Sequence, residues 1–150
     1  MKLTSGAFSD GENIPRVYTC QGKNINPPLA ISNVPTEAKS LVLLMDDPDV
    51  PEYIRASRMY DHWVVFNIDP KTSMIEENKG PFATMGQNTG GTNEYQGPCP
   101  PDREHRYFFK LYALDVLLDL SDGSTKAQVE KAMKGHILDQ TTLMGRYVKS

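Results

Sequence analysis

The 150-residue sequence lacks the features that mark a membrane-spanning or nucleic-acid-binding protein. Its longest apolar run, Leu41–Met45, is far shorter than the ~18 residues of a membrane span. It has 16 basic and 19 acidic residues and a pI near 5.6, so it has no excess of positive charge for a phosphate backbone. We therefore predict no membrane span and no nucleic-acid partner.

The amino terminus and the cysteines bear on the compartment. Residues 1–6 turn polar without the ~7–15 apolar residues of a secretory signal, which predicts a cytoplasmic protein. Cys20 and Cys99 lie far apart and form no CxxC pair, so neither a zinc knuckle nor a thioredoxin-type motif is available. In a reducing compartment, two buried thiols are favoured over a disulfide.

The composition predicts one globular domain over residues 1–150. Hydrophobic residues make up 39% and charged residues 23% of the chain, which is typical of a folded domain of this length. Most of the 11 glycines and 11 prolines precede residue 102, and this distribution favours short strands joined by long connections.

Three segments rich in β-branched and aromatic residues predict strands: 40–45, 62–68 and 106–114. At the carboxyl end, Thr125 and Gln128 form a capping-box pattern, and apolar residues recur at helical spacing as far as Ile137. Strands first and helices last is not the alternating order of a parallel sheet. We predict a mainly β fold, an antiparallel β-sandwich with C-terminal helices.

The residues able to do chemistry lie where the predicted strands meet proline-rich loops. Asp47 and Asp49 follow the first strand, His62 opens the second, and His105 precedes the third. If these ends share one rim of the sheet, Asp47, His62 and His105 converge on a pocket. Its floor would be Gly97 and Pro100, while Asp49 would brace the acidic loop at residues 47–51.

These motifs resemble the phosphatidylethanolamine-binding protein family, specifically its short bacterial and archaeal members often called Raf-kinase-inhibitor-like. The resemblance is carried by three motifs in order, and it extends over essentially the whole chain. The motifs are Asp-Pro-Asp-x-Pro from Asp47, Asp-His-Trp-Val-Val-Phe-Asn from Asp61, and Tyr-x-Gly-Pro-Cys-Pro-Pro from Tyr95 followed by His105-Arg106-Tyr107.

The resemblance implies the β-sandwich and a small pocket for an anion such as a phosphoryl headgroup, phosphate or acetate. It also implies regulation of a kinase or protease and leaves a homodimer open. The chain departs from the family pattern at Val50, Tyr60–Asp61 and Thr89–Gly90, which affects ligand choice. The ligand-binding residues that the resemblance assigns are Asp47, His62, Gly97, Pro100, His105 and Tyr107.

The chemistry of these residues is consistent with anion binding. Imidazole N–H groups and a backbone N–H near Gly97 would supply the donors, and Asp47 would orient one histidine and favour its charged form. We predict a non-enzymatic binding protein that needs no cofactor. Two alternatives remain: a hydrolase in which a histidine beside Asp47 acts as general base, with Cys99 the only plausible nucleophile, and a metal site with two histidines and one carboxylate.

Overall fold

The computed structural model describes residues 1–150 and contains two antiparallel sheets, one α-helix and a short 3-10 turn at Arg16–Tyr18. The larger sheet has the strand order β6-β4-β3-β7-β8, and the smaller has the order β1-β2-β5. The elements in chain order are β1 (Lys2–Thr4), β2 (Leu29–Ser32), β3 (Ser40–Asp47), β4 (Tyr60–Ile68), β5 (Met74–Ile75), β6 (Thr84–Met85), β7 (His105–Leu114), α1 (Lys126–Met133) and β8 (Ile137–Tyr147).

Strand β3 lies at the centre of the larger sheet because it can bury both of its faces. All eight of its residues are buried. Leu41, Leu43 and Met45 point into the main apolar core, while Val42 and Leu44 point into a second cluster on the opposite face. The three predicted strands are therefore present, each with slightly wider bounds than the sequence indicated.

The main core lies between the two sheets. Leu3, Leu29 and Ile75 of the smaller sheet join the same apolar cluster as residues of β3, β4 and β7. The mainly β class and the antiparallel pairing are confirmed. The smaller sheet has only two to four residues per strand, so it is not the full-sized facing layer that the prediction of a sandwich implies.

The predicted C-terminal helices are wrong. The only α-helix has eight residues, and the chain then forms β8, an eleven-residue edge strand paired with β7. The capping box at Thr125 and Gln128 is present, but the helix ends before Gly135, whose φ of 82° suits glycine. No helix is long and apolar enough to cross a bilayer.

A buried ionic cluster attaches α1 to the larger sheet. The Lys126 ammonium lies 3.0 Å from Asp46 Oδ2 of β3 and 3.0 Å from Asp61 Oδ1 of β4. Lys110 Nζ also contacts Asp46 Oδ2, at 3.0 Å. Burial acts to lower the pKa of Lys126, but the two carboxylates outweigh it and raise that pKa. Lys126 therefore keeps its positive charge at neutral pH.

We expect Lys126→Ala to lower the free energy of unfolding by about 2–4 kcal/mol, because Asp46 would lose one of its two cations while it stays buried. The control is Lys131→Ala, an exposed lysine of the same helix, with an expected change within about 0.5 kcal/mol. Urea unfolding measures both values. Equally small losses would contradict a stabilising role for the cluster.

Candidate functional site

The antiparallel register brings the chemistry-bearing strand ends to one rim of the larger sheet. Asp47 at the end of β3 pairs with Tyr60 at the start of β4, and Asp46 pairs with Phe108 near the start of β7. A cavity of about 290 Å³ opens at this rim. Its lining comprises Asp47, Val50, Ile54, Tyr60, His62, Gln96, Gly97, Cys99, Pro101, His105 and Tyr107.

Two other depressions lack this chemistry. One, of about 240 Å³, is lined mainly by asparagines and aromatic residues around Trp63, and the other, of about 420 Å³, lies along residues 69–82. Neither contains a histidine. We therefore take the cavity at the rim as the candidate site and call it the rim pocket.

Both ring nitrogens of His105 are paired with carboxylates. Its Nδ1 lies 2.6 Å from Asp47 Oδ2, and its Nε2 lies 2.7 Å from Asp102 Oδ1. A carboxylate only accepts, so both contacts are hydrogen bonds only if each nitrogen carries a proton or if one carboxyl retains its own. His105 is thus paired with two acids, Asp47 and Asp102, where only Asp47 was predicted.

The two acids differ in their surroundings. Asp47 is buried, and desolvation raises its pKa despite hydrogen bonds from the Asp49 backbone and from His105. Desolvation also acts to raise the pKa of Asp102, but the His105 hydrogen bond and backbone donors outweigh it and hold that pKa below its usual range. The more exposed Asp102 therefore stays ionised at the rim of the pocket.

Asp49 holds the acidic loop onto β7. Its carboxylate accepts from the backbone N–H, Nε and Nη2 of Arg106 at 2.8–2.9 Å. The hydrogen bond from Arg106 is the main cause that lowers the pKa of Asp49. Asp49 therefore braces the loop and does not line the pocket.

His62 lies in the pocket as a neutral acceptor. Its Nδ1 lies 2.6 Å from the Gln96 carbonyl oxygen, and because a carbonyl only accepts, Nδ1 carries the proton. Burial lowers the pKa of His62 to about 4, against opposing effects of the Gln96 carbonyl and Asp46. At neutral pH its Nε2 is therefore unprotonated, and the ring offers a ligand no N–H donor, contrary to expectation.

Tyr107 carries an unpaired hydroxyl. The side chain is fully buried between the two histidines, with ring centroids 5.3 Å from His62 and 6.4 Å from His105. The Cys99 backbone N–H faces its Oη as a donor, but the hydroxyl proton has no acceptor in the protein. Burial, followed by the charge of Asp47, raises the pKa of this phenol, so it keeps its proton. A buried donor without a partner beside a cavity is a candidate ligand contact.

The Gly97 turn is attached to the segment at residues 18–24. Gly97 N–H donates to Asn24 Oδ1 at 2.8 Å, and the Pro98 carbonyl accepts from Cys20 N–H at 3.1 Å. The Gly97 amide is therefore not free for a ligand, contrary to expectation. Glycine is needed here because a Cβ would overlap the Tyr18 carbonyl oxygen.

Pro100 is the predicted site residue that does not line the rim pocket. It is buried within the turn, and its neighbours Cys99 and Pro101 line the cavity in its place. Asp47, His62, Gly97, His105 and Tyr107 all line the cavity, and their role in ligand binding stays a prediction.

Cys20 and Cys99 form a disulfide in place of the two buried thiols that were favoured. Both residues are exposed, and their Cα atoms lie 5.5 Å apart, a separation usual for disulfides. The two cysteines are 79 positions apart in the sequence, so their proximity was not predictable from spacing. The bond adds a covalent link between the turn that lines the pocket and the segment at residues 18–24.

Sequence reasoning missed Asp102 and Gln96, which contact the two histidines. The sequence did contain a signal for Asp102, because an acidic residue three positions before His105 in a turn lies within reach of the imidazole ring. The sequence contained no signal for Gln96, because Gln96 contacts His62 through its backbone carbonyl. Its side-chain Oε1 accepts from the Tyr60 hydroxyl at 2.9 Å, which leaves the amide nitrogen without a protein partner.

The third histidine, His136, lies outside the rim pocket, and the structure does not support the predicted alternative of a metal site. His136 Nδ1 lies 2.8 Å from Asp115 Oδ1 at the far end of β7, so it is a surface pair. No three His, Cys, Asp or Glu side chains are placed to hold a metal ion.

Comparisons with known proteins agree with the motifs and the fold. The model of the phosphatidylethanolamine-binding protein family matches residues 4–148. A UPF0098 protein of Chlamydia trachomatis is 52% identical over 149 residues, which cover 99% of each chain. A UPF0098 protein of Methanothermobacter thermautotrophicus is 48% identical over 153 residues, with 98% of each chain covered.

Solved structures give the same result. The phosphatidylethanolamine-binding protein homologue CT736 of Chlamydia trachomatis superposes with a TM-score of 0.96 at 51% identity and covers 99% of this chain and 97% of its own. Escherichia coli YbcL, a member of the mammalian family, has a TM-score of 0.90 at 27% identity, with 99% and 98% covered. The chain belongs to the phosphatidylethanolamine-binding protein family.

The buried neutral state of His62 makes stability depend on pH. The unfolded ring binds a proton below pH ~6.5 and the folded ring only below about 4, so unfolding takes up a proton between these values. We expect the free energy of unfolding to fall by about 3 kcal/mol as pH drops through this window. Urea unfolding of the wild type and of His62→Gln from pH 7 to 4 isolates the effect, and equal slopes would refute it.

Proposed function

We propose that the protein is a non-enzymatic binding protein whose rim pocket takes a small anion, such as a phosphoryl headgroup, phosphate or acetate. The observation that carries the proposal is the buried Tyr107 hydroxyl, whose proton has no acceptor within the protein. The free amide nitrogen of Gln96 supplies a second donor at the same cavity. The size of the cavity, about 290 Å³, is at the small end of the range for ligand sites.

The proposal favours binding over catalysis. Cys99, the only nucleophile that the sequence offered, is tied in a disulfide and has no thiolate while that bond is intact. His62 and His105 lie beside Asp47, but neither ring contacts a serine, threonine or cysteine oxygen or sulfur that it would activate. A binding role requires only the donors described above.

We also propose that the protein regulates a kinase or protease, as the family resemblance implies. Tyr53 and Ile54 lie on the loop beside the rim pocket and are 82% and 50% exposed. Exposed apolar side chains at a pocket mouth are suited to contact a protein partner. The cytoplasmic location also stays a prediction, although exposed disulfides are typical of oxidising compartments.

Tyr107→Phe tests the pocket most sharply. We expect it to weaken phosphate binding by about tenfold, because one hydrogen bond to a charged group is lost. We expect little loss of stability, because the hydroxyl proton has no acceptor in the free pocket. NMR titration with inorganic phosphate gives the affinity, and thermal unfolding gives the stability.

Tyr112→Phe is the matched control, since Tyr112 belongs to the same strand but pairs with Gln140 towards its other end. Its phosphate affinity should equal that of the wild type. If Tyr107→Phe binds phosphate as tightly as Tyr112→Phe does, the hydroxyl is not a ligand contact and the proposed site fails.

We expect Asp102→Asn to raise the affinity for phosphate by about threefold to tenfold. The change removes a negative charge at the pocket rim while the amide oxygen can still accept from His105 Nε2. The control Asp119→Asn removes an exposed charge that lies beyond the far end of β7. Titration calorimetry at low salt compares the two variants. An unchanged or lower affinity for Asp102→Asn would contradict the electrostatic account.

A further inference from the structure

The rim pocket presents an acceptor where an anion-binding site needs a donor. The Gln96 carbonyl determines the tautomer of His62, because it requires the ring proton on Nδ1 at 2.6 Å. His62 lines the cavity, and the one hydrogen bond of its ring is made by Nδ1, so none is made at Nε2. The nitrogen available to a ligand therefore carries a lone pair.

The groups around His62 keep its ring uncharged, with Nε2 unprotonated, at neutral pH. Burial has the largest effect and lowers the pKa of the ring to about 4. The charge of Asp46 and the carbonyls of Gln96 and Gly97 oppose it, and His105 adds to it. The titratable and charged groups that face His62 are Asp46 and Asp47 on β3, Tyr60 on its own strand, and His105 and Tyr107 on β7.

The remaining pocket groups do not compensate for this acceptor. Both nitrogens of His105 are already engaged by Asp47 and Asp102. Tyr107 can donate only one hydrogen bond. An anion without a proton would therefore place an oxygen lone pair against His62 Nε2, close to two carboxylates. Two acceptors held together out of water are unfavourable.

We propose that the rim pocket selects phosphoryl groups that carry an acidic proton, namely phosphate monoesters and inorganic phosphate over diesters, with that proton hydrogen-bonded to His62 Nε2. This inference rests on the proposed function and specifies its ligand class. A monoester monoanion has one P–OH group, which donates to Nε2, and its other oxygens accept from Tyr107 and Gln96. A diester has no such proton at any pH above that of strong acid.

The proton balance follows from the chemistry of the ligand. The second pKa of a phosphate monoester is about 6, so below that value the ligand brings the proton itself. Above it, the dianion and the neutral ring share one proton that must come from the solvent. We therefore expect affinity to be nearly constant around pH 5 and to fall about tenfold per pH unit well above pH 6.

The experiment compares methyl phosphate with dimethyl phosphate by titration calorimetry at pH 5, 6 and 8, each in two buffers with different heats of ionisation. The buffer dependence counts protons taken up on binding. We expect about one proton per methyl phosphate at pH 8 and about none at pH 5. At pH 6 we expect dimethyl phosphate to bind on the order of a hundredfold more weakly, because its complex must protonate a ring whose pKa is about 4.

His62→Gln is the diagnostic variant, because a side-chain amide donates and accepts without changing its charge. We expect it to bind both phosphates, with neither proton uptake nor discrimination between the esters. Equal affinities of wild-type protein for the two esters, without proton uptake at pH 8, would overturn the inference and leave the proposed function standing. Failure of both esters and of inorganic phosphate to bind at every pH would overturn the proposed function as well.

Discussion

The hydrogen bond between the Asp47 carboxylate and His105 Nδ1 is the contact on which the rim pocket depends. It joins the end of β3 to the start of β7, two strands of the sheet centre, at a distance of 2.6 Å. Asp47 also accepts from the Asp49 backbone, and Asp49 in turn pairs with Arg106. The acidic loop is thus attached to β7 at two successive points, so the cavity is organised before a ligand arrives.

The position of the candidate site could be predicted from the sequence, but its hydrogen-bond pattern could not. Apolar runs predicted β3, β4 and β7, and antiparallel pairing then brings Asp47, His62 and His105 to one rim. Backbone groups leave no mark in residue identity, so the Gln96 carbonyl on His62 and the use of the Gly97 amide by Asn24 were not predictable. Strand β8 was missed because it is an edge strand with an exposed first half, and its opening residues continue the helical spacing.

Burial, and not the count of charged residues, determines the electrostatics of the pocket. Two histidines suggested a cationic site, yet desolvation keeps His62 neutral and His105 is paired with two acids. The pocket therefore presents an acceptor, a phenol donor and an amide within one small cavity. In the function proposed above, such a site would recognise a ligand by the position of its protons as much as by its charge. The departures from the family pattern at Val50 and Tyr60 lie in the lining of this same cavity.

The most direct test of this account is the protonation state of the His62 ring, read from its two ¹⁵N chemical shifts in uniformly labelled protein at pH 7. The account predicts a neutral ring with the proton on Nδ1 and an unprotonated Nε2. The long-range couplings to the ring carbon protons assign each nitrogen. A His62 ring protonated at Nε2 at pH 7, whether neutral or charged, would contradict the account.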